Sequence, residues 1–151
     1  MGKMFTEKRA KMTDKNCAYC MEGELVEAFG IKICELSSSK VYLFKEQSHL
    51  GRIIVAHKKH VSEITELTAE ERAAYIEDIA KASNAMHEIF HPAKVNYGAY
   101  GDTGHHLHFH LVPKYEGEYE WGGVFEMNPK QKFLTEEEYA EIVEKYRKAL
   151  S

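Results

Sequence analysis

The run Gly104-His105-His106-Leu107-His108-Phe109-His110-Leu111-Val112-Pro113 constrains this chain more than any other stretch. Four of the nine histidines fall within six residues, and three of them alternate with large apolar side chains. In an extended strand successive side chains point to opposite faces, so His106, His108 and His110 line one face while Leu107, Phe109 and Leu111 line the other. The segment therefore reads as a strand with a hydrophobic core behind it and a row of imidazoles in front. Imidazole readily serves at neutral pH as nucleophile, proton carrier or metal ligand, and a row of three is open to all of these roles.

A chain of 151 residues fits one domain with a core of its own. The formal charge of -4 argues against a nucleic-acid-binding surface, which normally gathers a basic excess. A small anionic ligand needs only a local basic or amide-rich pocket. No apolar stretch approaches the length needed to cross a bilayer, and residues 1–16 are polar and charged without a signal-peptide core, so a cytoplasmic protein without membrane contact is expected. Residues 1–16 read as a flexible N-terminal segment and residues 17–151 as the domain. Three cysteines make a poor disulfide framework, but the spacing of Cys17 and Cys20 is one that metal sites favour.

Along the chain, 25–29 and 31–36 read as short strands around Gly30, followed by strands at 41–45, 52–56, 94–98 and 106–112. Thr68 with Glu71 forms a capping box that opens a long helix. Its apolar side is Ile76, Ile79, Met86 and Phe90, with Ser83 the polar interruption, and it ends near Pro92. Thr135 with Glu138 opens a terminal helix whose inward stripe is Tyr139, Ile142, Val143, Tyr146 and Leu150. Short antiparallel strands around one long helix place the chain in the α+β class, with a sheet of about five strands. No glycine-rich phosphate loop of the Walker or dinucleotide type is present.

The run from His106 to Val112 resembles the His-φ-His-φ-His-φ-φ signature, φ being apolar, of the histidine triad superfamily of nucleotide hydrolases and transferases. The segment His57-Lys58-Lys59-His60-Val61 with Leu67-Thr68, and Asn96 with Gly98, also resemble that family, so the likeness runs from Cys17 to about Pro113. It implies that His108 attacks the α-phosphate of a nucleotide and forms a covalent nucleotidyl-histidine that water then hydrolyses. Such a nucleophile needs one nitrogen free and its other N–H held by an acceptor, a backbone carbonyl or carboxylate. The likeness also implies that His110 stabilises developing charge and that Asn96 orients the phosphate or leaving group; an Asn taken alone is also a common turn or strand-end residue. Backbone amides around Gly101 to Gly104 offer anion-binding donors.

Several branches of the superfamily carry zinc at positions matching Cys17, Cys20, His60 and His106, which implies a structural Cys2His2 zinc site. The pair also fits reduced thiols near a turn, with His106 bonding a backbone carbonyl. Where one branch places a ribose-gripping Asp, this chain has Phe44 and Lys45, with Glu46 the nearest replacement; where relatives carry a Gln in the glycine-rich turn, it has Asp102 or Thr103. His105 reads as structural, and His49, His57, His87 and His91 as surface or capping residues. The aromatic segment from Lys114 to Pro129 suits either a reach into a partner's active site, stacking on a base, or packing on its own domain. The resemblance implies a homodimer that takes a small-molecule nucleotide. It leaves open phosphorolysis or nucleotidyl transfer, a nucleotide-binding regulatory module with little turnover, and a catalytic metal centre on the three histidines.

Overall fold

A computed structural model describes residues 15–102 and 104–151. The expected N-terminal segment 1–16 thus lies almost wholly outside the described residues, as does Thr103. Five strands, β1 (Gly30–Glu35), β2 (Ser39–Phe44), β3 (Ile53–His57), β4 (Lys94–Gly98) and β5 (His108–Lys114), form one antiparallel sheet in the order β1-β2-β3-β5-β4. The helices are α1 (Ala18–Met21), α2 (Glu24–Glu27), α3 (Ala69–Phe90) and α4 (Glu136–Leu150), with a short 3-10 turn at Ile64–Glu66. The α+β class, the five-stranded antiparallel sheet, the long helix and the terminal helix are as expected.

The register decides what each face carries. Val41, Val55 and Phe109 align across β2, β3 and β5, as do Leu43, Ile53 and Leu111. These side chains join Ile33, Tyr75, Ile79, Met86, Ile142, Val143 and Tyr146 in the main core beneath α3 and α4. One residue out of phase, Tyr42, Ile54 and His110 align, as do Ala56 and His108. That second face is covered by Tyr19 and Val26 from α1 and α2. Because both faces are covered, β3 is buried along its whole length and reads as a continuous apolar run rather than an alternation.

Both capping boxes form. The Thr68 hydroxyl accepts from the Glu71 amide at 3.1 Å and the Glu71 carboxylate from the Thr68 amide at 2.8 Å; Thr135 and Glu138 repeat the pattern. Helix α3 ends on His91 in the left-handed conformation, directly before Pro92. Its buried stripe differs from expectation. Tyr75 is fully buried while Ile76 is 48% exposed, because the inward row runs Tyr75, Asp78, Ile79, Ala82 and Met86. Tyr75 can take that place because its hydroxyl donates to the Val55 carbonyl at 2.7 Å. Asp78, buried on the same row, accepts hydrogen bonds from the hydroxyls of Ser37, Ser38 and Ser39 and from the Ser38 amide, fastening the β1–β2 turn to the helix.

Three further expectations are corrected. Residues 24–27 form helix α2 instead of part of a strand: only Val26 in 25–28 is buried, so the segment has no alternating face to pair. The last strand begins at His108 rather than His106, because the backbone before it turns aside to bond Val61 through the Leu107 amide. His49 and His57 are buried rather than at the surface: His49 Nε2 lies 2.6 Å from a Glu120 carboxylate oxygen, and His57 Nδ1 accepts from the Lys59 amide at 3.0 Å.

Candidate active site

The second face of the sheet opens into a cavity of about 840 Å³ lined by His106, His108 and His110. Phe44 and Ile54 of the sheet, Tyr19 and Phe29 beside it, the turn at Tyr100–Asp102 with Gly104, and Phe125 and Met127 of the C-terminal segment complete its wall. The segment after β5 therefore folds onto its own chain. Phe125 is buried, and its ring edge comes so close to Gly98 that a Cβ there would lie 2.7 Å away, a contact no side chain could make.

Each histidine of the row has a different group behind it. His108 places Nδ1 2.7 Å from the His106 carbonyl, so Nδ1 carries the proton and Nε2 is the unprotonated nitrogen of a ring lining the cavity. Burial holds the His108 pKa below the ordinary imidazole value, against the opposing pull of that carbonyl. The ring is neutral at pH 7, with the accepting carbonyl the sequence argument asked for.

His106 is arranged the other way round. Its Nε2–H donates to the His57 carbonyl at 2.5 Å, which leaves the Nδ1 lone pair facing Cys17 Sγ at 3.1 Å, Cys20 Sγ at 3.5 Å and His60 Nδ1 at 3.3 Å. Cys20 Sγ and His60 Nδ1 are 3.3 Å apart. Both thiols reach one point because Cys17 caps α1 and Cys20 lies one turn on. Metal bonds of about 2.3 Å to sulfur and 2.0–2.1 Å to nitrogen at tetrahedral angles put S and N ligand atoms about 3.5 Å apart and two nitrogens about 3.4 Å apart. All four donor atoms lie within 4.8 Å of one another, so the set fits a tetrahedral ion. Burial drives the His106 pKa down to about 4, keeping the ring in its ligating form.

His110 is backed by Arg52. The guanidinium Nη2 donates to His110 Nδ1 at 3.0 Å, so the ring's proton sits on Nε2. Burial, the Arg52 charge and His108 together push the His110 pKa down to about 2. The same guanidinium lies 4.2 Å from the Phe44 ring and 5.0 Å from that of Phe125.

Other expected site residues fare differently. Phe44 lines the cavity and meets His110 edge to face at 5.5 Å, and Asp102 and Gly104 line it from the turn. Asn96 shares the histidine face through its pairing with Val112, but stands outside the cavity wall. Glu46 is not brought to the cavity. Its carboxylate is used by the Ser48 amide and hydroxyl and by the Gln131 and Lys132 amides, pinning the β2–β3 connection to the approach to α4. His105 is exposed at the cavity rim. Sequence reasoning missed Arg52 and Tyr19, whereas Phe125 belongs to the aromatic segment from Lys114 to Pro129 expected to pack on its own domain or stack on a base. Arg52 had a signal: it shares parity with Ile54 and Ala56, which puts a charge on the histidine face at the head of an apolar strand.

Residues 38–117, more than half of the chain, match the HIT domain family. The chain belongs to this family. Among curated proteins, this HIT chain is 26% identical over 108 residues to "Protein hit" of Bacillus subtilis, covering 67% of this chain and 72% of that one. A crystal structure of a histidine triad protein from Bradyrhizobium japonicum superposes with a TM-score of 0.77 at 21% identity, over 85% of this chain and 96% of the other. A zinc-bound histidine triad family protein from Mycobacterium smegmatis gives 0.63 at 22% identity, over 89% and 92%. At these identities the superpositions establish the shared HIT fold.

Proposed function

We propose that this HIT protein is a nucleotide hydrolase that cleaves a phosphoanhydride or phosphoramidate bond at the α-phosphorus through a nucleotidyl-His108 intermediate. The observation carrying this reading is the state of His108, a neutral ring whose Nδ1–H is held by a carbonyl and whose Nε2 is free in a cavity large enough for a nucleotide. The Nε2 lone pair forms a bond to phosphorus while the bond to the leaving group breaks and its electron pair departs with that group. Water then attacks the phosphorus and gives up one proton to solvent, the P–N bond breaks, and its electrons return to Nε2. Throughout, the proton stays on Nδ1, donated in a hydrogen bond to the His106 carbonyl, which helps to stabilise the positive charge of the nucleotidylated ring. His110 donates Nε2–H to a phosphate oxygen, and the apolar wall of Phe44, Ile54, Tyr19 and Phe29 receives the nucleoside. The amides of Asp102 and Gly104, which line the cavity, remain proposed phosphate-orienting groups, and Asn96, on the histidine face beside it, is proposed to orient the leaving group.

Cys17, Cys20, His60 and His106 would hold a structural zinc ion, tying the amino-terminal helices to the strand that carries His108. The family membership and the open edge of β4, where Tyr97 is half exposed, support a homodimer, which sedimentation would register as twice the chain mass. No helix among the described residues is long and apolar enough to cross a membrane, and we read the protein as cytoplasmic. The test is intact-protein mass after rapid acid-free quenching with diadenosine tetraphosphate or adenosine phosphoramidate. One adenylyl group added to the wild type, and none to His108→Ala, is the expected result; no adduct and no turnover with either substrate replaces the hydrolase by a nucleotide-binding module.

A further inference from the structure

Arg52 is a buried cation with no carboxylate hydrogen-bonded to it among the described residues, placed directly behind a cavity histidine. It is 1% exposed. Its Nη1 donates to the Glu126 carbonyl at 3.0 Å and its Nη2 to the Met127 carbonyl at 2.8 Å and to His110 Nδ1 at 3.0 Å, while Nε has no hydrogen-bond partner among the described residues. Burial lowers its pKa only to about 10, so it stays charged at neutral pH. A charge buried this way is costly unless something compensates it; here two carbonyls and two aromatic faces do so at contact, and the Glu46 and Glu120 carboxylates support the charge from further off.

The consequence for His110 follows from donor counting. Arginine has five N–H donors and no acceptor. His110 Nδ1 must therefore accept, and a second proton there would set two donors and two positive charges against each other. The ring is confined to the neutral Nε2–H tautomer. As an acid, a neutral imidazole is far too weak to hand over its remaining proton at pH 7, so His110 can donate a hydrogen bond but cannot protonate a leaving group. His108 cannot either, since its one proton is committed to the His106 carbonyl.

We infer that Arg52 is a positioning residue that locks His110 as an Nε2–H donor to phosphate, and that this lock directs the site to phosphoanhydrides rather than phosphoramidates. The inference rests on the proposed reaction at His108 and narrows its substrate class. When a phosphoanhydride is cleaved, the bridging oxygen takes the electron pair and departs as a terminal phosphate oxygen of a polyphosphate anion, with no proton required. When a phosphoramidate is cleaved, the departing nitrogen needs a proton, and neither ring supplies it. The Arg52 charge, one imidazole away, adds a field that favours an anionic group in the cavity over a neutral one.

The test has two arms. The first records 15N shifts of the histidine rings in the 15N-histidine-labelled wild-type protein at neutral pH, with His110→Gln assigning the signal. His110 is expected with an acceptor-type Nδ1 and a protonated Nε2; an Nδ1–H or doubly protonated ring overturns the lock. Arg52→Met is expected to release the ring into other states, and Arg52→Lys, which keeps a cationic donor, to restore the Nε2–H signature. The second arm compares kcat/KM for diadenosine tetraphosphate and adenosine phosphoramidate. The wild type is expected to favour the anhydride by ~10²-fold or more, the scale of one productive proton transfer, and Arg52→Met to shrink that ratio while Arg52→Lys keeps it. Equal turnover of both substrates by the wild type overturns the substrate assignment. No turnover of either overturns the hydrolase reading and the substrate assignment with it, while the ring signals still decide the role of Arg52.

Discussion

His106 and His110 stand at the two ends of one row, are equally buried, and share a residue type, yet they carry opposite tautomers. At one end the His57 carbonyl accepts from Nε2–H, so Nδ1 presents a lone pair to two thiols and a second imidazole. At the other, the Arg52 guanidinium donates to Nδ1, so Nε2 presents a proton to the cavity. His108, between them, has its Nδ1 proton taken by a carbonyl and offers Nε2 as a lone pair. The comparison teaches that an imidazole's role is assigned by the group behind it: a carbonyl makes the far nitrogen a ligand or nucleophile, and a cation makes it a donor.

The sharpest way to break the comparison is to remove the middle ring. His108→Ala is expected to lower turnover by ~10⁴-fold or more while leaving metal content and thermal midpoint in place; retained turnover would move the nucleophile elsewhere. Next in size is the metal end. Elemental analysis of the purified protein is expected to find one zinc per chain, lost in Cys20→Ser but kept in His108→Ala and His110→Gln. Structural zinc binding in small motifs is worth about 10–16 kcal/mol, and each kcal/mol moves the midpoint of a chain this size by roughly 2–4 °C. A fall of about 10 °C or more in Cys20→Ser or after chelation is therefore expected by calorimetry. Zinc that leaves with His108 instead would make the row a catalytic metal centre.

A smaller effect is expected at the donor end, where His110→Ala removes one hydrogen bond to phosphate. Turnover should fall by ~10²–10³-fold, with the adenylyl adduct on His108 still detectable but slower to form. The smallest change sharpens the comparison by acting outside it. Burial alone would raise the Asp78 pKa, but the hydrogen bonds from Ser39, Ser38 and Ser37 together outweigh it and hold the carboxyl below its ordinary value. A depressed folded pKa contributes stability that is present above the unfolded value of about 3.9 and disappears as pH falls through the folded one. Asp78→Ala is expected to cost about 1–3 kcal/mol at pH 7 and to flatten the acid limb of the stability profile between pH 5 and 3. The histidine ring signals should stay unchanged, and movement there would tie the tautomers to helix packing.

What could be read in advance follows the range of the interactions. The two capping boxes are contacts between residues three apart, and the alternation in 106–112 is a property of neighbours, so both were visible in the chain. Cys17 and Cys20 were visible as a pair for the same reason. Their meeting with His60 and His106, across 40 and 89 positions, was accessible only through the likeness to a known family. The choice of Tyr75 over Ile76 for the buried row turned on one carbonyl of β3 that accepts the tyrosine hydroxyl. Glu46 looked available because four amide and hydroxyl donors, two of them some 85 residues away, could not be placed on it from the chain alone. Arg52 was overlooked although its parity marked it, because a charge heading an apolar strand ordinarily faces solvent.

The amino-acid sequence by itself determined that a strand would carry His108 and His110 on one face and a core on the other, that two helices would begin at Thr68 and Thr135, and that two thiols would share one turn. These are consequences of backbone periodicity and of side chains within a few residues of one another. Only the tertiary structure decided which nitrogen of each imidazole holds its proton. That choice belongs to the Arg52 guanidinium just before β3, the His57 carbonyl at its end and the His106 carbonyl two residues ahead of His108, and a ring with two nearly equivalent nitrogens has no preference strong enough to make the choice alone.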